Sequence, residues 1–284
     1  FPYNFCRGFP LRKSDFKGRV FDATQQATRS RRFLYRDEDD CPDIPTPKSP
    51  NWRFGFLYLN LTLENLSRYT NLYNECIKNS DALATFYNTM INEQKHFIEN
   101  YKLSVLYSRV LEPFYCCNDN IKPWSHHLIG KKVLIISPFV DSFQKQLKNN
   151  FQIFKNPDKK IFLDDQVFIF YKSYNTAAGN NIHESWDVTY DIMCNDIGNL
   201  EFDIALLGCG GYGLPLCHYI HKKLNKSAIY IGGGLQLLFG VMGSRWENIP
   251  MWKNIIKYNE SKFIRPSQEE QLKNKENIEG GCYW

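Results

Sequence analysis

The chain has 284 residues, of which 35 are Lys or Arg and 30 are Asp or Glu, and its formal net charge is +5. Its 43% hydrophobic and 23% charged residues exclude global disorder, and its length suffices for one large domain or two smaller ones. The small surplus of positive charge predicts no strong nonspecific binding to nucleic acid, whereas binding of small anionic ligands remains possible.

Cysteine usage and hydropathy predict a soluble, cytoplasmic protein. The nine cysteines contain no Cys-x-x-Cys pair, and the adjacent Cys116 and Cys117 cannot easily bridge each other. We therefore expect reduced thiols rather than a disulfide framework or a zinc site. No stretch reaches the roughly 18 apolar residues of a membrane helix, so we expect no membrane span.

The amino-terminal part of the chain divides into two predicted regions. Residues 1–50 are rich in Arg, Asp and Pro, with prolines too closely spaced for a helix or a central strand, which predicts an extended arm or loop. Residues 51–123 are predicted to hold a strand at 54–61 followed by a mostly helical segment, because apolar residues recur at helical spacing from Leu63 to about Leu111.

Residues 124–284 alternate between apolar runs and helical patterns. The run 131–139 (KKVLIISPF) is typical of a strand buried on both faces of a parallel sheet, and Asp141 is positioned to cap a helix at 142–150. Further predicted strands cover 166–171, 202–207 and 228–231, with helices at 184–197 and 214–224. This order predicts an α/β fold, a Rossmann-like doubly wound parallel sheet, with ligands bound in the loops after Phe139, Leu207 and Ile231.

A glycine-rich loop follows the third of these strands. Residues 208–213 (GCGGYG) match G-x-G-x-x-G between a buried strand and a helix, the context that this nucleotide-binding motif requires. Glycines there allow a sharp turn and close approach of a phosphate to the helix N-terminus. The alternative is a tight strand-to-helix turn without a ligand. The residues predicted to contact the ligand are Gly208, Gly210, Gly211, Tyr212 and Gly213.

A second glycine run, Gly232, Gly233 and Gly234, follows the next strand. A nicotinamide cofactor favours a carboxylate there to bind ribose, and the run has none, so a dehydrogenase ranks lower. Two glycine-rich segments side by side leave room for a flat sugar or nucleotide. The alternative is that the second run only allows close packing of a helix on a strand.

Downstream, Gln236 lies in a predicted helix that ends at Gly243. Arg245 follows it and is placed to pair with a phosphate or with a surface carboxylate.

The last six residues (EGGCYW) end on aromatic side chains, which predicts that the tail packs back onto the domain and delivers Glu279 as a carboxylate. The sequence identifies no histidine that could activate Cys282, so a role of Cys282 as a nucleophile is possible but has no support.

His218 and His221 lie three residues apart on a predicted helix, but nothing nearby completes a metal-ligand set.

Several segments together resemble a known family. They are Trp124, residues 137–139, 202–216 (FDIALLGCGGYGLPL) and 228–246 (AIYIGGGLQLLFGVMGSRW), Asn259, Arg265, Pro266 and the closing EGGCYW. This set resembles uncharacterised bacterial and viral proteins associated with surface polysaccharides, and it is more distantly similar to the GT-D-fold glycosyltransferases. The resemblance covers residues 110–284 and implies transfer of a sugar from a nucleotide-sugar donor to a glycan acceptor.

GT-D-fold enzymes carry an Arg-x-Gly-Asp-x-Glu motif, in which two carboxylates on one face of a strand hold a divalent metal such as Mn²⁺ or Mg²⁺ against the donor diphosphate. The matching stretch here is residues 53–58 (RFGFLY), where Arg53 and Gly55 fit but Phe56 and Tyr58 replace the acids. This departure removes the metal ligands that the resemblance would imply, and we assign no metal site. The candidate catalytic groups are Arg53, Tyr58 and Glu279.

Three functions are therefore considered. The first is a glycosyltransferase that binds a nucleotide sugar at the two glycine runs, with Arg53 and Arg245 opposite the phosphates. The second is a non-catalytic nucleotide- or sugar-binding protein of the same fold, because the acidic pair is absent. The third is an enzyme that uses a dinucleotide or S-adenosylmethionine in the glycine loop.

Overall fold

The computed structural model of the chain describes residues 63–84, 91–106, 110–115, 122–180 and 182–284. The predicted arm at 1–50, the predicted strand at 54–61 and the candidate residues Arg53 and Tyr58 lie outside these ranges.

The predicted helical segment contains two helices and a pair of strands. Helix α1 spans Leu63–Lys78 and helix α2 spans Ile91–Tyr101. Strands β1 (Ala82–Ala84) and β2 (Ser104–Leu106) follow the two helices and pair in parallel, with Ala82 opposite Ser104. The sequence did not reveal these strands, since three residues are too few to show the two-residue alternation of a strand.

A four-stranded parallel sheet confirms the α/β class. Its strands are β3 (Lys132–Ser137), β4 (Val167–Lys172), β5 (Ile204–Leu207) and β6 (Ser227–Tyr230), in the spatial order β4-β3-β5-β6. The chain runs from β3 outward to β4 and then returns to the other side of β3 for β5. The strand order therefore places β4 and β5 on opposite sides of β3. Parallel sheets commonly bind ligands at the carboxyl ends of two strands arranged like β3 and β5.

Six helices accompany this sheet in the described part of the chain: α3 (Val140–Lys148), α4 (Trp186–Gly198), α5 (Gly213–Lys222), α6 (Gly234–Leu238), α7 (Ser244–Glu247) and α8 (Pro250–Asn259).

Two predictions about where these helices begin and end were wrong. Asp141 lies inside the first turn of α3 rather than at its cap. The helix predicted to reach Gly243 ends at Leu238, because the chain turns at Gly240 (φ +73°) and Val241 then bridges Ile264.

Side chains of the two central strands alternate between two hydrophobic clusters. Leu134, Ile136, Ala205 and Leu207 belong to one, and Val133, Ile135, Ile204 and Leu206 belong to the other. The first cluster also contains Tyr69 and Tyr73 of α1 and Phe97 of α2, so the helical segment shares its core with the sheet. Burial on both faces explains the uninterrupted apolar runs of these strands.

The tail packs back onto the sheet, as the sequence predicts. Trp284 is only 6% exposed, and its ring meets that of Phe139 edge to face at 5.9 Å. Its indole N–H donates to the carbonyl of Glu270 at 2.9 Å. The last residue therefore closes the second cluster at the carboxyl end of β3.

Replacing Trp284 with Ala should lower the free energy of unfolding by about 3–5 kcal/mol, the usual cost of truncating a buried aromatic side chain. Urea denaturation monitored by circular dichroism measures this change. Tyr258→Ala is the control, since that ring is 75% exposed. Equal stability of the two variants would show that the tail does not contribute to the core.

Candidate functional site

The glycine-rich loop lies at the carboxyl end of β5, next to β3. The amide of Gly208 donates to the carbonyl of Ile136 at 2.9 Å and so extends the pairing with β3. The chain then forms a single 3₁₀ turn, Gly210–Tyr212, and enters α5 at Gly213. The loop is therefore the turn between strand and helix that the sequence predicts.

Buried tyrosines hold the carbonyl groups of this turn. The hydroxyl of Tyr230 donates to the carbonyl of Gly210 at 2.8 Å, and that of Tyr69 donates to the carbonyl of Gly211 at 3.3 Å. The ring of Tyr212 is buried as well, and its hydroxyl lies 3.0 Å from that of Thr176. Burial, followed by the neighbouring Tyr73, raises the pKa of Tyr69, so this hydroxyl keeps the proton that it donates.

These contacts determine where the amides of the turn point. In a trans peptide the C=O and the following N–H lie on opposite sides. Because the carbonyls of Gly210 and Gly211 face the tyrosines, the N–H groups of Gly211 and Tyr212 face the opposite way. Gly210 itself is exposed with φ +57°, and a side chain there would meet nothing within 4 Å. Consecutive amides beside a left-handed residue form the kind of concavity that binds anions.

Other predicted glycines pack closely against neighbouring groups of the protein. A Cβ on Gly213 would lie 2.2 Å from the Tyr230 ring, and one on Gly208 would lie 2.8 Å from the carbonyl of Gly232. In the second run, Gly233 contacts the ring of Tyr283 and Gly234 contacts the side chain of Glu112. At these positions glycine allows close packing. For the second glycine run, close packing was the alternative to ligand binding.

Gln236 and Arg245 contact the tail. The amide of Gln236 is buried and donates to the carbonyl of Tyr283 at 3.1 Å. The guanidinium of Arg245 forms an ion pair with Glu279 at 3.1 Å and donates to the hydroxyl of Tyr283 at 2.6 Å. The sequence left open whether Arg245 pairs with a phosphate or a carboxylate, and in the structure its partner is this carboxylate.

Glu279 occupies an unusual backbone conformation. Its φ is +50°, and the next two residues, Gly280 and Gly281, also have positive φ. A left-handed non-glycine residue is uncommon and costs about 1–2 kcal/mol. The adjacent Cys282 has a raised pKa, owing to burial and to the carboxylate of Glu279. Cys282 therefore remains a protonated thiol at neutral pH, and the structure gives no support for a thiolate nucleophile.

A carboxylate of the chain itself occupies the N-terminus of α3, the helix that follows β3. Glu270 is 5% exposed, and its carboxylate accepts from the amides of Asp141 at 3.0 Å, Ser142 at 3.1 Å and Ser267 at 3.0 Å. The hydroxyl of Ser142 also donates to it. The sequence predicted a ligand in the loop after Phe139, but the anion-binding position there holds Glu270, which lies 128 residues from Ser142.

The candidate site is thus the edge formed by the loops after β5 and β6 together with the tail. Its solvent-accessible members are Gly208, Gly210, Gly233, Arg245, Glu279, Cys282 and Tyr283. Among the residues that the structure describes, no three His, Cys, Asp or Glu side chains are grouped as a metal site would need. Within that same part of the chain, no helix has both the length and the apolar character needed to cross a bilayer.

Comparisons of the chain with protein-family models, with curated proteins and with solved structures find no match. The function must therefore be inferred from the residues and the geometry of this edge.

Tyr230→Phe removes one hydroxyl that holds the glycine turn while it keeps the ring that packs on Gly213. We expect a loss of about 1 kcal/mol of stability and faster amide hydrogen exchange at Gly211 and Tyr212. Tyr219→Phe is the control, because the hydroxyl of Tyr219 lies against Gly198, away from the turn. Unchanged exchange in Tyr230→Phe would mean that the hydroxyl does not position these amides.

Glu270→Ala removes the acceptor of the Asp141 and Ser142 amides and one of the two acceptors of the Ser267 amide. The expected loss in the free energy of unfolding is about 2–4 kcal/mol, measured by chemical denaturation. The neighbouring Glu269 is exposed, so Glu269→Ala should leave the unfolding midpoint almost unchanged. A similar small effect of both variants would contradict the proposed capping of α3.

Proposed function

We propose that the chain is a glycosyltransferase that takes a sugar from a nucleotide-sugar donor and passes it to a glycan acceptor. The observation that carries this proposal is the turn Gly210–Tyr212 at the carboxyl edge of a parallel sheet, where Gly210 is exposed and tyrosine hydroxyls orient the peptide groups that follow it. We also propose that the sheet is the core of a Rossmann-like, doubly wound fold. Hydrophobic clusters on both faces and the strand order β4-β3-β5-β6 support this fold.

In this proposal, the donor diphosphate lies against the amides of Gly211 and Tyr212, where the N-terminus of α5 favours negative charge. Arg245 stabilises the leaving diphosphate, because its guanidinium offers a rigid fork of donors. Glu279 accepts the proton of the acceptor hydroxyl as a general base. Both side chains are partly accessible, at 39% and 35% exposure.

A divalent cation has no evident place in this reaction scheme. The resemblance to GT-D-fold enzymes implies Mn²⁺ or Mg²⁺ on two carboxylates, but the corresponding positions carry Phe56 and Tyr58. These side chains supply no carboxylate oxygen, the ligand type that such ions prefer. We therefore propose that Arg245 and the loop amides, rather than a metal ion, stabilise the leaving diphosphate.

A non-catalytic nucleotide- or sugar-binding protein is the second candidate. It is favoured by the ion pair between Arg245 and Glu279, since each group is already neutralised by the other. For either candidate we propose a cytoplasmic protein without a nucleic-acid partner. The free thiols of Cys76, Cys194, Cys209, Cys217 and Cys282 support a reducing compartment.

A thermal-shift panel tests these proposals. The ligands are UDP-, GDP- and CMP-linked sugars, NAD, NADP and S-adenosylmethionine, each with and without manganese. We expect one class of nucleotide sugar to raise the melting temperature, because ligands that bind only the native state stabilise it. Release of the sugar onto an acceptor then separates a transferase from a binding protein. A shift with NAD or S-adenosylmethionine alone would overturn the proposal in favour of the third function.

Gly210→Leu should abolish the shift given by the nucleotide sugar, because the new side chain fills the space in front of the amides. Gly130→Leu is a matched control, since Gly130 is also exposed, has φ +74° and has nothing within 4 Å, but it precedes β3 at the opposite edge. Both variants should lose about 1–2 kcal/mol through the left-handed backbone, and only Gly210→Leu should lose binding. Retained binding in Gly210→Leu would remove the glycine turn from the site.

A further inference from the structure

A cavity lies at the amino edge of the four-stranded sheet, away from the glycine-rich loop. It encloses about 260 Å³ between the end of α3 and the segment 160–166, which leads into β4. The turn Gly210–Tyr212 follows the carboxyl end of β5, at the opposite edge. Because sites for drug-sized ligands enclose roughly 300–1,000 Å³, this smaller cavity suits a single ring with its substituents.

The floor of the cavity is made of phenylalanine rings that pack on one another. The ring of Phe162 lies 4.9 Å from that of Phe168 and 5.1 Å from that of Phe239. Phe151 lines the cavity as well and packs on Gly240, where a Cβ would lie 2.5 Å from its ring. The floor is therefore apolar and is held in place by the protein, and the negative faces of aromatic rings attract the weakly positive C–H groups of a ligand.

Side-chain amides surround this floor. They belong to Asn150, which is exposed, and to Gln152 and Gln166, which are partly exposed. Within the described part of the chain, the amides of Asn150 and Gln152 form no hydrogen bond. Gln166 donates to the carbonyl of Lys131 at 2.8 Å, which leaves its Oε1 as an acceptor. An amide both donates and accepts, and so does a hydroxyl group, so this rim matches a ligand with several hydroxyls.

The rim carries no net charge. Among the described residues that line the cavity, the charged ones are Lys160 and Asp164, and they form an ion pair with each other. The ring of His126 donates to the carbonyl of Lys160 at 2.5 Å, and the hydroxyl of Ser125 donates to that of Ile161, so this segment is anchored. A neutral rim gives a phosphate or carboxylate no advantage over an uncharged ligand.

We propose that this cavity binds one neutral sugar ring of a glycan. The C–H groups of the sugar contact the phenylalanine floor, and its hydroxyls bond to the amides of Asn150, Gln152 and Gln166. A nucleotide fits less well, because its phosphates find no positive charge that is not already paired. The proposal does not depend on the nucleotide-sugar function, since the cavity shares no residue with the glycine turn or the tail.

The first test uses the wild-type protein, labelled with ¹⁵N, and follows its backbone amides by NMR. The probes are the methyl pyranosides of glucose, galactose, mannose and N-acetylglucosamine, with uridine and adenosine for comparison. We expect at least one pyranoside to shift the amides of Asn150, Gln152 and Gln166 with a dissociation constant of about 1 mM, the scale for a ligand of about a dozen heavy atoms. Shifts there from the nucleosides alone, or from none of the six probes, would overturn the proposal.

The second test removes the two unbonded amides of the rim. Gln152→Ala and Asn150→Gly should each raise the dissociation constant of the pyranoside about three- to tenfold, the scale of one neutral hydrogen bond. Glycine at position 150 tolerates the φ of +53° found there, so the backbone of that variant is not strained.

Each variant has a matched control that does not line the cavity. Gln144→Ala removes an exposed glutamine of α3, and Asn225→Gly changes an exposed asparagine whose φ is also +53°. Both controls should bind the pyranoside as the wild-type protein does. Unchanged affinity in Gln152→Ala and Asn150→Gly would show that the sugar does not bind in this cavity.

The same spectra keep the two proposals apart. A nucleotide sugar that shifts Gly211 and Tyr212, with no pyranoside effect at the cavity, supports the proposed function and overturns this inference. Pyranoside shifts at the cavity, with no response of the glycine turn to any nucleotide sugar, support the inference and contradict the proposed function.

Discussion

The orientation of two peptide groups, held by the hydroxyls of Tyr230 and Tyr69, is the constraint on which the candidate site depends. A glycine turn by itself can adopt many backbone conformations, since glycine visits both halves of the φ range. Here the carbonyls of Gly210 and Gly211 are tied to side chains from β6 and α1. The shared core of the helical segment and the sheet therefore controls the orientation of the loop amides.

Three short turns from a strand to a helix lie along the carboxyl edge, and carboxylates of the chain itself lie against two of them. Glu270 accepts from the first amides of α3, and Glu112 lies against the first residue of α6. Helix N-termini attract negative charge, so Glu270 satisfies amides of α3 that would otherwise favour an external anion. The third turn, before α5, presents the exposed Gly210 instead. Carboxylates of the chain thus lie at two of these turns, and the exposed Gly210 marks the third.

Local patterns revealed most of the sheet, and long-range contacts account for what they missed. The apolar runs of β3 and β5 predicted their strands within about two residues, because burial on both faces leaves a continuous signal. Glu112 gave no comparable signal, since it contacts Gly234 from a distant part of the chain. The pairing of Glu270 with Ser267 follows a local Ser-x-x-Glu pattern, but its contact with α3 is equally distant in sequence. The pairing of Arg245 with Glu279 was open for the same reason. Sequence therefore located the glycine loop and the tail carboxylate Glu279, but not Glu270 or Glu112.

The pairing of Arg245 and Glu279 also bears on whether this edge can accept a ligand. Both side chains are more than a third exposed, and ion pairs of this kind contribute about 0–1 kcal/mol. A diphosphate that forms charge-assisted hydrogen bonds with the guanidinium would gain about 1.5–3 kcal/mol per bond. The left-handed backbone at Glu279 costs about 1–2 kcal/mol in the conformation that makes this contact. In the proposed reaction, an anionic ligand displaces this weak contact, which leaves Glu279 available as a base.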